Sequence, residues 1–103
     1  MKVSDLREAV GKLYIFDELL VIGKHGDDSQ TSLIKENGNW IVYTYERNKR
    51  HALKTFKNED DACRFVLDMM RRVEDTNFNY KGERIRIPGK TPRPGLEMHR
   101  KIP

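Results

Sequence analysis

The sequence predicts an α+β fold: an antiparallel three- to four-stranded meander, a short N-terminal helix, a longer helix packed on the sheet, and a basic extended tail. Three observations carry this expectation. Asn37-Gly38 separates two β-forming runs, as a tight two-residue hairpin requires. Asn58, followed by Glu59, Asp60 and Asp61, opens a segment whose apolar residues recur at helical spacing. Pro88, Pro92, Pro94 and Pro103 are all the prolines in the chain, and they limit regular structure at its end.

From the N-terminus, Ser4 or Asp5 is suited to cap a helix with Leu6, Ala9, Val10 and Leu13 on one face, and Gly11 weakens its second half. Glu18 to Gly23 reads as a buried strand, closed by the polar turn residues Lys24 to Ser29. Thr31 to Glu36 and Trp40 to Arg47 form the hairpin arms. On the second arm Ile41, Tyr43 and Tyr45 point one way and Trp40, Val42 and Thr44 the other, so both faces are apolar and the strand is central. After the polar turn Arg47-Asn48-Lys49-Arg50, His51 to Phe56 adds another antiparallel strand.

The following helix carries a stripe of Ala62, Phe65, Val66, Met69, Met70 and Val73, broad enough to cover a sheet, with Arg71 and Arg72 expected near its end. Residues 1–80 therefore make one compact domain and residues 81–103 a basic arm. Within the arm, Ile85 and Ile87 alternate with Arg84 and Arg86 as an edge strand over 83–87 would.

At 103 residues the chain supports one modest core and is short for a deep cleft between two lobes. Its charge is unevenly divided: residues 1–80 carry thirteen Lys or Arg against fourteen Asp or Glu, and residues 81–103 carry seven against two. A nearly neutral body with a basic end points to a partner with negative surface. The opening residues become charged before any apolar run, unlike a secretory leader, and no stretch reaches the length of a spanning helix. Cys63, the single cysteine, has no partner for an internal disulfide. A cytoplasmic location without a membrane partner is the expectation, and no oligomeric state follows from the pattern.

The chemical candidates are sparse. His25, Asp27 and Asp28 have metal-ligand chemistry but lie in a turn without a spaced partner motif, so no metal is expected. Cys63 sits in a first helical turn beside Glu59, Asp60 and Asp61, which oppose thiolate formation, and its pairing with His51 as nucleophile and base has no sequence signature. Glu46 with Asp17 or Glu18 lacks the convergence that acid–base work needs. No enzyme activity and no cofactor are expected. Arg47, Lys49, Arg50, Lys54 and Lys57 near the hairpin, extended by Arg84, Arg86, Lys90, Arg93, Arg100 and Lys101 in the tail, with Trp40, Tyr43, Tyr45 and Tyr80 available, allow phosphate attraction and base stacking, so a small nucleic-acid-binding regulator using the basic turn and tail is the second reading.

The run Asn37-Gly38-Asn39-Trp40-Ile41-Val42-Tyr43-Thr44-Tyr45-Glu46-Arg47, followed by Phe56, Glu59, Ala62, Cys63 and Phe65, resembles small immunity proteins of bacterial polymorphic toxin systems. The resemblance covers about residues 3 to 72, with Asn48 standing where a glycine often follows the Glu-Arg pair. It implies a non-catalytic protein that binds and neutralises a cognate toxin domain. On that reading Arg47, Lys49 and Arg50 on the turn, Arg84 and Arg86 on the arm, and Tyr43 or Tyr45 as an aromatic anchor are the expected partner contacts.

Overall fold

Asn37 and Gly38 both adopt positive φ, 52° and 79°, which is the backbone a right-twisted two-residue hairpin demands and which asparagine and glycine tolerate best. This turn joins β2 (Thr31–Glu36) to β3 (Asn39–Glu46), and β4 (Lys49–Phe56) pairs antiparallel on the far side of β3. The chain, described in a computed structural model over residues 1–47, 49–79 and 87–90, places α1 (Val3–Gly11), a single 3-10 turn (Asp17–Leu19) and β1 (Leu20–Ile22) before this meander, and α2 (Glu59–Asn79) after it.

The sheet runs β1-β2-β3-β4 and is mixed, because β1 pairs with β2 in parallel, Leu20 opposite Thr31 and Ile22 opposite Leu33. The antiparallel meander is thus β2 to β4, and the first strand departs from it. Parallel neighbours ordinarily need a long crossover, but β1 is only 3 residues long, so residues 23–30 suffice to carry the chain back beside its start. That return loop crosses one face of the sheet. Gly26 donates its N–H to Ser32 Oγ at 2.9 Å, and a Cβ on Gly26 would meet that oxygen at 3.0 Å and Gln30 Oε1 at 2.9 Å. A side chain at 26 would have to displace the end of the Gln30 side chain and crowd the Ser32 hydroxyl.

The opposite face holds the main core. Leu33 and Val42, paired across β2 and β3, pack with Leu6 and Val10 of α1, Leu13 and Ile15 beyond it, and Ala62, Cys63, Val66, Leu67 and Met70 of α2. The β3 side chains divide as their alternation requires: Val42 faces the helices and Tyr43, also wholly buried, faces the return loop. No described helix is long and apolar enough to cross a membrane.

Both helix ends show what neighbours add to local signals. Asn58 caps α2, its Oδ1 accepting the Asp61 N–H at 2.8 Å. α1 begins at Val3, ahead of the expected Ser4 or Asp5 cap, because Asp5 accepts the Lys2 N–H at 2.9 Å and Glu59 of α2 reaches over to accept the Val3 N–H at 2.7 Å. Orphan donors of one helix are thus satisfied by a carboxylate from the other. α2 also continues past Val73. Glu74 and Asn77, both buried, lie one turn apart and grip the Tyr14 backbone, Glu74 accepting its N–H at 2.8 Å and Asn77 donating to its carbonyl at 2.8 Å.

Beyond α2, residues 87–90 dock on the same Tyr14 segment. Ile87 is buried and donates its N–H to Tyr14 Oη at 3.2 Å, while Lys90 Nζ reaches the Gly11 carbonyl at 2.9 Å, the Leu13 carbonyl at 3.0 Å and the Asp17 carboxylate at 2.9 Å. A cation at the end of α1 meets the negative pole of that helix. Of the edge strand expected over 83–87, only Ile87 falls among the described residues, and it lies in irregular backbone. Replacing Lys90 with methionine keeps the stem and removes the ammonium. We expect a loss near the low end of the range for charge-assisted hydrogen bonds, about 1.5 kcal/mol, because Asp17 is largely exposed and finds water instead. Urea unfolding of Lys90→Met checks this.

Candidate partner-binding surface

β4 is the outermost strand of the meander, and every one of its side chains is exposed except Phe56, which is half-buried. Lys49, Arg50, His51 and Lys54 line it, Lys57 follows it, and no acidic residue interrupts the run. A lysine-rich edge discourages indiscriminate pairing with other strands. The register adds a second device. Val42 pairs with Lys54 and Tyr43 with Ala52, so Leu53 is an extra residue bulged between them and 44% exposed. The bulge decides the direction of Leu53, which alternation alone leaves open.

Two of these cations are held in place. The Arg50 guanidinium lies 4.4 Å from the centre of the Tyr43 ring and 3.3 Å from the Glu36 carboxylate. Lys54 Nζ sits 5.5 Å from the Phe56 ring and 5.7 Å from Phe65, on the helix-bearing face. Tyr43 belongs to a stack of its own: its hydroxyl bonds His25 Nδ1, and its ring meets Tyr45 edge-on with centroids 6.0 Å apart. With no exposed surface, Tyr43 cannot itself touch a partner; it positions Arg50 from beneath.

Tyr45 is half-buried and, with Gly26, Asp27 and Asp28, lines an open cleft of about 400 Å³. Asp27 and Asp28 are exposed, and the return loop that carries them is tied to the end of β3 by the Ser29 N–H donating to the Tyr45 carbonyl at 2.7 Å. Arg47 is exposed and has φ 51°, a left-handed conformation that costs an arginine about 1–2 kcal/mol and that glycine or asparagine adopts more readily. Of the expected contacts, the structure therefore gathers Arg47, Lys49, Arg50 and Tyr45 at one end of the β3–β4 hairpin. Arg84 and Arg86 lie outside the described residues. Sequence reasoning passed over Asp27 and Asp28 as part of the surface and Leu53 as its apolar point. The first required knowing that the return loop folds onto Tyr45, and the second required the bulge.

The catalytic candidates do not converge. Cys63 is wholly buried, and burial, reinforced by the Glu59 carboxylate, pushes its thiol above the ordinary cysteine range, which keeps it protonated. His51 is exposed on β4. Among the described residues no group of three His, Cys, Asp or Glu side chains stands close enough to hold a metal ion. No known protein family, curated protein or solved structure matches the chain.

Proposed function

We propose that this chain is a non-catalytic binding protein that neutralises a bacterial toxin domain, an immunity protein, by docking an acidic patch of that domain on the basic β4 strand. The observation that carries the reading is β4 itself: an 8-residue strand, exposed along nearly its whole length, with the cations Lys49, Arg50 and Lys54 and no acidic side chain. Arg47 supports it. Its left-handed backbone is one an arginine disfavours, and its exposed side chain adds a cation next to the start of β4. Cations already held in place, such as Arg50 and Lys54, lose less freedom on binding than solvated ones, and their field accelerates encounter with an acidic surface.

The same cations favour a nucleic acid as the second reading. Against it stand Asp27 and Asp28, which line the cleft beside Tyr45 and repel the phosphates that would accompany any base stacked there. A mosaic of a basic strand and an acidic cleft suits a protein surface carrying both signs. Co-purification with a toxin-like domain encoded beside this chain, at one-to-one stoichiometry and with loss of toxin activity, is the expected result. Capture by residues 1–80 as well as by the full chain would place the interaction on the body. Failure to bind any locally encoded toxin-like domain defeats the proposal.

A further inference from the structure

We infer that the outer edge of β4 takes up an extended acidic segment of the partner as an added strand, so that recognition runs through the backbone of residues 49–56 as well as through the cations beside it. The inference rests on the proposed reading of the chain as a protein-binding module and specifies how that module docks.

An edge strand has a paired side and an open side, and about half of its backbone N–H and C=O groups point to the open one. Among the described residues β4 pairs with β3 alone, from Lys49 to Phe56, and ends the sheet on its other side. The open edge is therefore a line of donors and acceptors offered to an extended segment.

The charges state which segment fits. On the helix-bearing face the edge shows His51 and Lys54, and on the other face Arg50, since Lys54 pairs with Val42, His51 with Thr44 and Arg50 with Tyr45. A strand added alongside has its own side chains flanking these on both faces. Acids there meet cations at cross-strand range, whereas a second copy of β4 would set Lys49, Arg50 and Lys54 against themselves. The edge thus rejects its own copy and admits an acidic strand. Leu53 supplies one apolar contact in the middle of the basic strip, and the bulge that exposes it fixes the register of whatever pairs there.

Amide hydrogen exchange on the full chain tests this with three synthetic peptides at low salt: alternating Thr and Glu, the same acidic peptide with proline replacing every other Thr, and alternating Thr and Lys. The Thr-Glu peptide is expected to slow exchange about tenfold or more at those amides of 49–56 that point away from β3, the open-edge set, with the set bonded to β3 unchanged. The proline peptide, equal in charge but unable to complete the ladder, and the Thr-Lys peptide are expected to leave that set unprotected. Uniform slowing, equal protection by the proline peptide, or no protection by any of the three overturns strand addition. If a toxin domain is captured while the Thr-Glu peptide fails, the docking mode falls and the immunity reading stands. If the peptide adds to the edge while no toxin domain is captured, the reverse holds.

Discussion

Tyr43→Ala is expected to cost about 3–5 kcal/mol, the range for deleting a large buried aromatic ring, and so to remove much of the stability of a domain this size. The ring has no exposed surface and bears contacts on three sides: His25 at its hydroxyl, Tyr45 at its edge and the Arg50 guanidinium over its face. None of these neighbours can refill the space. Tyr45 is fixed on the same strand, and the Arg50 guanidinium is paired with the Glu36 carboxylate and costly to bury in an apolar gap. Tyr43→Phe separates packing from the hydroxyl. It keeps the ring and removes one hydrogen bond to an exposed histidine that water can satisfy, so a loss of about 0.5–1.5 kcal/mol is expected. Denaturant titration of both variants measures this, and a Tyr43→Ala loss below that of Tyr43→Phe would contradict the assignment. Because the ring supports Arg50, the alanine variant should also bind partner more weakly than its folded fraction explains.

Lys49→Glu combined with Lys54→Glu is expected to weaken capture of the toxin domain by about 100-fold or more, since like charges brought face to face at an interface cost several kcal/mol. Stability should fall modestly, by about 1–2 kcal/mol. Both residues are exposed; the double reversal takes away the attraction of the Lys54 ammonium for the Phe56 and Phe65 rings, worth about 0.5–1 kcal/mol at a surface site, and sets a carboxylate at position 49 directly opposite Glu46, a like-charge pair costing about 0.2–1 kcal/mol. Much of the affinity loss should appear in the association rate and shrink as salt is added, because screening removes the repulsion. Unchanged affinity in the doubly reversed protein would remove β4 from the interface. The pair Asp27→Asn and Asp28→Asn then separates the two readings. Neutralising the cleft should raise affinity for single-stranded nucleic acid if that is the ligand, and should leave the affinity unchanged or lower it for a partner that places a cation there.

The sequence carried the elements whose cause is local. The Asn37-Gly38 turn needs only two residues that tolerate positive φ; the β3 alternation needs only the pleat; the Asn58 cap needs one side-chain oxygen three residues ahead of an amide. The basic character of the β3–β4 hairpin was equally legible, since Arg47, Lys49 and Arg50 are consecutive but for one residue. What eluded the sequence was every feature with a cause on another element. α2 runs to Asn79 because Glu74 and Asn77 find the Tyr14 backbone, and polar residues on a buried stripe look like the end of a helix until that backbone is in place.

The same division holds at the surface. Residue types determined that this chain has a basic, aromatic hairpin over an α+β frame. Only tertiary structure decided which of those residues face outward: packing buried Tyr43 and left Tyr45 half-open, a one-residue bulge turned Leu53 to solvent, and the parallel return of the chain from β1 brought Asp27 and Asp28 beside Tyr45. The physical reason is range. Turn, cap and pleat energies depend on neighbours along the chain, whereas burial, register shifts and the meeting of charges depend on residues far away in sequence that folding brings into contact.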